Sequence, residues 1–264
     1  MLIMIYNRGK GDEKGGSFVK NRYICIMIQM ICRYIVEALR ALADWLMPSW
    51  CPVCGDKLVK SSTGICVACK LRLPVIPRYG DMEDNSMARL FWGLVPVEKA
   101  QTIFEYRPGN EVSAIVEEMK YHGVYEIGIE MGRMSAQRLV GRGFFDGVDM
   151  IIPVPLTKSR KRWRGYNQAE MISNGLAEVT AIPVSTGNLV RKRFHGSQTR
   201  LSAVERGENV KNCFDVTRPE ELRGKHVLLV DDVLTTGATL RECCMSLADR
   251  VGDVRVSVFT LCRA

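Results

Sequence analysis

Residues 231–239 read Asp-Asp-Val-Leu-Thr-Thr-Gly-Ala-Thr and directly follow the apolar run His226-Val-Leu-Leu-Val. Such a run suits a buried strand, which leaves Asp231 and Asp232 at the strand's carboxyl end, where open α/β sheets bind ligands. Thr235, Thr236, Gly237, Ala238 and Thr239 then lead into a helical pattern. Free backbone N–H groups, hydroxyl donors and the positive end of a helix dipole converge there, which suits a phosphate monoester. Gly237 puts no Cβ in the path of that phosphate, and two adjacent carboxylates, acceptors only, suit the vicinal hydroxyls of an attached sugar. The string therefore describes a ribose 5-phosphate site. Either half alone reads better as turn and cap residues joining a strand to a helix; the whole ordered string is what points to a phosphate. No GxGxxG, HExxH, GxSxG or P-loop string occurs in the chain.

A second constellation is Cys51, Cys54, Cys66 and Cys69, which form CxxC, eleven residues, CxxC. Two such knuckles place four thiolates around one ion in the tetrahedral geometry that zinc takes, and all four positions being filled makes the site structural. A module this small cannot bury enough apolar area by itself, which motivates a metal. Two disulfides or free thiols are the competing readings. The remaining six cysteines lie in apolar runs and read as core residues.

Charge is concentrated. Lys+Arg 37 against Asp+Glu 29 gives +8, and residues 156–211 carry eleven Lys/Arg against four Asp/Glu, so +7 of that excess sits in about one fifth of the chain. Lys158 to Arg164 holds five basic residues in seven, with Trp163 and Tyr166 interleaved. Cations that track a backbone beside aromatics that stack on bases suit single-stranded nucleic acid, while a solvated basic face is the plainer alternative.

These residues need elements to hold them. The 264 residues, 47% hydrophobic and 25% charged, make an ordinary globular chain and exclude collagenous, disordered and disulfide-scaffold classes. Residues 1–20 show no period and are expected to be disordered. A helix is predicted from Met30, with Ile31, Ile35, Leu39, Leu42 and Leu46 on one face and Pro48 as its stop. The cysteine segment and a proline-bearing connector follow. Beyond Lys99, strands are predicted at 101–106, 148–155, near Ile182 and Leu189, at 225–231 and at 254–261. Helices are predicted after the Asn110 cap, at about 125–140, at 165–179, after Ser202 and at 237–250, with 191–200 a polar loop. Alternation of this kind argues for an α/β fold with a mostly parallel sheet. The apolar run from Tyr23 is too short and too broken for a membrane span, and Arg33, Glu37 and Arg40 interrupt any secretory signal, so a cytoplasmic chain is expected.

The 226–240 string resembles the phosphoribosyl-diphosphate (PRPP) motif of type I phosphoribosyltransferases. The chain from about residue 31 onward resembles the ComF family in particular, through CPVCG with its second CxxC, FEYRPGNEVSAIVEEMKYHG, PVPLTKSRKRWRGYNQAE and RKRFHGSQTRLSAVERGENVKNCFDV. The resemblance implies a type I phosphoribosyltransferase-like α/β fold, a mostly parallel sheet flanked by helices, preceded by a helix and a small zinc ribbon that packs over the site as a hood. Residues 1–29 have no counterpart and are expected to be an extension before a start at Met30. Residues 30–80 would form the helix and ribbon, and 99–264 the phosphoribosyltransferase-like domain. The resemblance further implies Asp231 and Asp232 as the catalytic pair that holds the ribose hydroxyls. Thr235 to Thr239 would bind the 5-phosphate, Lys158 and Arg160 the pyrophosphate, and Arg193 and Arg200 would belong to a mobile loop closing over PRPP. Implied cofactors are structural Zn²⁺ and Mg²⁺ with PRPP. Implied partners are PRPP or a related phosphoribosyl ligand, single-stranded DNA and the DNA-uptake machinery. Two roles follow: Mg²⁺-dependent transfer of ribose 5-phosphate to an acceptor, or a non-catalytic, nucleotide-sensing, DNA-binding competence factor.

Overall fold

The computed structural model describes residues 27–39, 42, 49–59, 64–76, 82, 84–192 and 213–264. It divides into two compact units, Met1–Ser49 and Trp50–Ala264. In the first, residues 27–39 form helix α1, on which Arg33 and Glu37 pair one turn apart at 3.1 Å.

The second unit is built on a four-stranded sheet in the order β1-β6-β5-β2. Its strands are β1 (Ala100–Glu105), β2 (Met150–Pro153), β5 (His226–Leu234) and β6 (Arg255–Arg263), and every pairing is parallel. Parallel strands need crossovers, and these lay helices on both faces. One face carries α3 (Glu111–Glu117), α4 (Tyr125–Leu139) and α6 (Gln168–Thr180), packed through Ile115, Met131 and Ile172 against Leu228 and Val230 of β5. The other carries α7 (Ala238–Val251) and a small antiparallel pair, β3 (Leu189–Arg191) with β4 (Phe214–Val216), against Val227 and Leu229. Alternate residues of β5 thus enter opposite cores, which explains why the strand reads as continuously apolar.

Several boundaries differ from the sequence expectation. Residues 158–164, for which the sequence predicted no helix, form helix α5 (Lys158–Arg164), because Thr157 caps it by accepting from the Arg160 amide and Gly165 ends it at φ 82°. The strand expected near Ile182 is reduced to a single bridge between Ile151 and Val184, since Pro183 has no N–H to extend a ladder. Strand β5 runs on to Leu234, held by β6 through Val233↔Cys262 and Leu234↔Arg263. The loop at 193–200 and the helix expected after Ser202 lie outside the described residues.

The cysteine segment joins the main core. Cys66 caps α2 (Val67–Arg72), and Cys51, Ile65, Cys69 and Leu73 are buried in the cluster that holds Phe104 and Ile127. Lys70 of α2 reaches Glu130 of α4 at 2.6 Å. The segment lies against α4, and none of its described residues lines the cavity described below. The hood placement expected from sequence is therefore not the one observed, because Ile65 and Leu73 are apolar and take core positions.

Helices α4 and α6 cross at glycines. A Cβ at Gly132 would run into the Ile172 carbonyl, and one at Gly175 into the Ile129 carbonyl. Alanine is intrinsically better than glycine in a helix by about 1 kcal/mol, but inserted atoms in a filled contact cost about 1–3 kcal/mol or more. Gly175→Ala is therefore expected to lower stability in urea unfolding; an unchanged or higher midpoint would show that the crossing can relax.

Candidate functional site

The site begins where β2 stops. Its last residue pairs as Pro153↔Val230, whereas β5 and β6 stay paired to Leu234↔Arg263. After Val154 donates to the Val230 carbonyl at 2.8 Å, the chain leaves the sheet. The next residues of β5, Asp231 and Asp232, then face a notch instead of a neighbouring strand. A cavity of about 360 Å³ fills it, lined in part by Val154–Leu156, Asp231, Asp232, Thr235 and Thr239.

The two carboxylates are held by their own backbone. Asp231 Oδ1 accepts from the Asp232 amide at 2.9 Å, and Asp232 Oδ1 accepts from the Val233 amide at 2.8 Å. Lys120 Nζ pairs with Asp232 Oδ2 at 3.2 Å. Burial first, and then the adjacent Asp232 charge, push the Asp231 carboxyl up to about 8. One lysine beside two carboxylates leaves the pair short of positive charge, a setting in which a divalent cation or hydroxyl donors are favoured.

Lys120 is brought there by a π-helical turn at Glu118–His122. The wider turn leaves the Met119 carbonyl free for other donors, and it accepts from Tyr166 Oη and, at 3.0 Å, from Gln168 Nε2. Burial pushes the Tyr166 phenol up to about 12, so it remains a donor at ordinary pH. Asn167 caps α6 by accepting from the Ala169 amide and donates to the Val154 carbonyl at 3.0 Å. The Tyr-Asn-Gln run thus fixes both walls of the notch.

At the other wall, Gly237 takes φ 74° and caps α7. A Cβ there would stand 3.4 Å from Arg241 Nη1 and 3.7 Å from Leu90. Glycine is favoured there by the left-handed backbone alone, since both neighbours stand at ordinary contact distance. Of the first-turn amides of α7, Ala238 donates to Thr236 Oγ1 at 3.4 Å, and those that follow are the free donors of a helix N-terminus beside Thr235 and Thr239.

Of the residues picked from sequence, Asp231, Asp232, Thr235, Thr239 and Arg160 stand in the cavity wall. Thr236, Gly237 and Ala238, at the turn into α7, are not part of the wall, and Lys158 is exposed at the start of α5 outside it. Arg193 and Arg200 lie outside the described residues. Sequence reasoning missed Tyr106, Lys120, Arg164, Asn167 and Gln168, and took Arg191, also in the wall, only as the edge of a loop. Lys120 lies within the family-like string at 104–123, where no role was read for it; Asn167 was recoverable as a cap two residues before an apolar helical pattern. Trp163 is 69% exposed, and Tyr121 meets it edge-on at 5.9 Å. Tyr166, paired with Trp163 in the sequence reading, points instead at Met119.

The four thiols lie apart from the notch. Their sulfurs are all within 4.8 Å of one another, and Cys54 and Cys66 are 3.7 Å apart, against about 3.8 Å across a tetrahedron with Zn–S bonds of about 2.3 Å. The thiols are unlinked. The Cys69 amide donates to Cys66 Sγ at 3.4 Å. Burial, then the neighbouring Cys66, Cys54 and Cys51 thiols, push Cys69 up, as expected of crowded sulfurs that a cation would draw into the thiolate form. The cluster can hold a metal ion.

Among the described residues no helix is long and apolar enough to cross a membrane. Residues 136–264 match the phosphoribosyl transferase domain family. The DNA utilization protein YhgH of Salmonella typhi is 30% identical over 228 residues, 82% of this chain and 98% of that protein. Competence protein F of Haemophilus influenzae is 41% identical over 118 residues, 44% of this chain and 51% of that protein. Competence protein ComFC of Bacillus subtilis is 26% identical over 214 residues, 81% and 84% of the two chains. The parallel sheet, the notch and the domain match define a type I phosphoribosyltransferase-like α/β protein with an N-terminal four-cysteine ribbon. Within that class, the chain belongs to the ComF family.

The raised Asp231 carboxyl has a measurable consequence. Its ordinary value is 3.8 and its folded value about 8, so between these the folded chain binds more protons than the unfolded one. This group's contribution therefore falls as pH rises through that window and is neutral below it. Asp231→Asn, which cannot ionise, should match the parent near pH 4 and melt at a higher temperature than the parent at about pH 8.5. Equal melting temperatures at the higher pH would contradict the raised value.

Proposed function

We propose that the notch binds PRPP or another ribose 5-phosphate compound. The observation that carries this reading is the Asp231–Asp232 pair, free of strand neighbours on one side and lying in the same cavity as Thr235 and Thr239 at the head of α7. In it, the α7 amides with Thr235 and Thr239 hold the 5-phosphate, and Asp231 and Asp232 accept from the ribose hydroxyls. Arg160, with Lys158 beside it, faces the pyrophosphate, as would Arg193 and Arg200. Mg²⁺ suits the site, since Asp231 supplies a hard oxygen donor whose ionisation a cation would favour. When bound, it would supply positive charge against the pyrophosphate.

The reaction that fits is transfer of the ribose 5-phosphate group to a nitrogen acceptor. The bond from C1 to the pyrophosphate oxygen breaks with its electron pair leaving on pyrophosphate, the acceptor nitrogen bonds to C1, and its proton goes to solvent or a base. The chain's own contribution is orientation and the neutralisation of departing charge.

A second reading is a nucleotide-sensing factor that binds single-stranded DNA. It is supported by α5, where Trp163 and its partner Tyr121 are both exposed among Lys158, Arg160, Lys161 and Arg162, cations and stacking faces being what such strands require. The names of the relatives, one for DNA utilization and two for competence, support a role in handling incoming DNA, and we place that role in the cytoplasm. The cysteine cluster is assigned to structural Zn²⁺, on the grounds of four sulfur donors at tetrahedral spacing.

Calorimetric titration with PRPP and MgCl₂, and separately with a single-stranded oligonucleotide, decides between these readings. PRPP is expected to bind, and replacing both Asp231 and Asp232 by Asn should weaken it at least tenfold, each charge-assisted bond being worth roughly 1.5–3 kcal/mol. Pyrophosphate release on adding nitrogen bases would select the enzyme; oligonucleotide binding that falls steeply with salt and is lost on neutralising Arg160, Lys161 and Arg162 would select the second. No PRPP binding by the parent chain would remove the site assignment. For the ribbon, metal analysis of protein purified under reducing conditions is expected to give about one zinc per chain, and Cys66→Ser should lose the metal and stability together; a metal-free protein of full stability would exclude it.

A further inference from the structure

Thr235, Thr236 and Gly237 carry the chain from the end of β5 into α7, and the two threonines are exposed. Such a connection has little packing of its own to fix it. What holds it is Arg241, the fourth residue of α7. The Arg241 amide donates to the Gly237 carbonyl at 2.9 Å and closes the first helical turn. Its side chain reaches back past the cap: Nη1 donates to the Thr236 carbonyl at 2.9 Å and to the Leu90 carbonyl at 3.2 Å. One nitrogen, with a hydrogen for each acceptor, thus joins two segments distant in sequence.

The Leu90 end is anchored. Leu90 ends a 3₁₀ turn, Ala88–Leu90, in which Ala88 and the following Phe91 are buried in the core that β5 shares with α7. Asn85 braces that turn, its Oδ1 accepting from the Met87 and Ala88 amides at 2.8 and 3.0 Å and its Nδ2 donating to the Ala100 carbonyl of β1 at 2.7 Å. The Thr236 carbonyl is therefore tied through Arg241 to a support that belongs to the sheet and its core.

A carbonyl held on one side decides where the next amide points. In a planar trans peptide the C=O and N–H lie on opposite sides, so the bond to Arg241 turns the Gly237 N–H away from the guanidinium, and no hydrogen bond among the described residues takes that N–H up. Glycine by itself visits both signs of φ freely, so the φ of 74° at Gly237 needs something to select it. Arg241 removes the freedom that the glycine introduces.

We propose that Arg241 is a positioning residue for the 5-phosphate: by holding the Thr236 carbonyl against the Leu90 support, it keeps the Gly237 amide, with the free amides of the first turn of α7, set for the phosphate. This rests on the ribose 5-phosphate reading of the notch. Arg241 acts through the loop and not on the ligand, and both of its carbonyl bonds are made before any ligand enters, so the phosphate meets donors already in place.

The test is calorimetric titration of the parent chain, Arg241→Met and Arg241→Lys with ribose 5-phosphate and, separately, with pyrophosphate and MgCl₂, thermal melts confirming that each protein is folded. Methionine loses both donors, whereas lysine keeps a nitrogen with hydrogens enough for two carbonyls. Arg241→Met is expected to weaken ribose 5-phosphate binding roughly tenfold or more, the effect of one misplaced charge-assisted bond. Pyrophosphate, set on the Arg160 side, should change far less, and Arg241→Lys should recover part of the loss. Spectra of ¹⁵N-labelled protein supply a readout that lost stability alone would not move: the Gly237 amide signal should shift downfield when ribose 5-phosphate saturates the parent and not when it saturates Arg241→Met. Undiminished ribose 5-phosphate binding by Arg241→Met, equal loss of both ligands, or a Gly237 signal that moves alike in both proteins overturns the proposal. Should Arg241→Met not fold, the parent decides, since a Gly237 signal unmoved by saturating ribose 5-phosphate overturns it as well. Failure of the parent to bind ribose 5-phosphate at all is a separate outcome, which removes the reading of the notch and the proposal with it.

Discussion

Strand β5 outlasts β2 by four residues on the same side of the sheet, and most of the site follows from that mismatch. Where β2 lies alongside, β5 carries only apolar residues, because both faces of a parallel sheet are covered by helices. Where β2 is gone, the backbone groups and side chains of β5 meet a void instead of a ladder, and polar residues replace apolar ones at Asp231 and Asp232. Pairing with β6 continues through the gap, so the two aspartates sit on a rigid strand and not on a loop. A site built in this way is precise at little entropic cost, since the strand is already ordered by its hydrogen bonds on the β6 side.

The electrostatics are set by the same geometry. Adjacent carboxylates on one strand end cannot both ionise freely at the floor of a cavity, and a single lysine offsets only part of the repulsion. That lysine reaches the notch because a π-helical turn widens the end of α3 and releases the Met119 carbonyl to Tyr166 and Gln168. π-Turns are a small sacrifice of helix geometry that recurs at functional sites. Here the sacrifice ties the helix end, the start of α6 and the α5 basic surface into one unit around the carboxylates.

The cysteine ribbon is held by two kinds of contact. Ile65 and Leu73 enter the main core, and Lys70 reaches the largely buried Glu130, which also pairs with Arg133. A buried ion pair stabilises little on net, but removing one partner leaves an unmatched charge, so it fixes where the ribbon docks more than how tightly. Metal ligation and core packing thus reinforce one another: the ion would order the ribbon, and the ordered ribbon covers Phe104 and Ile127.

By itself the sequence determined the features that local pattern encodes. The apolar runs of β2, β5 and β6, the Asn110 cap, the order of strands and helices and the CxxC spacing are all short-range signals, and each stands close to where the pattern put it. The carboxylate pair and the threonines after it were equally readable, because a strand-to-helix turn is a contiguous segment whose chemistry does not wait for distant partners. Only the tertiary structure decided the rest. Lys120 belongs to the site because the π-turn that follows α3 is tied through the Met119 carbonyl to Tyr166 and Gln168 and carries it to Asp232, more than a hundred residues away in sequence. Arg164 belongs to it because Thr157 and Gly165 bound a short helix that ends there, and Gln168 because its amide reaches the Met119 carbonyl. The left-handed backbone of Gly237 and its neighbours Arg241 and Leu90 likewise came only with the fold, because no local spacing rule records which side chains close packing will bring against a glycine.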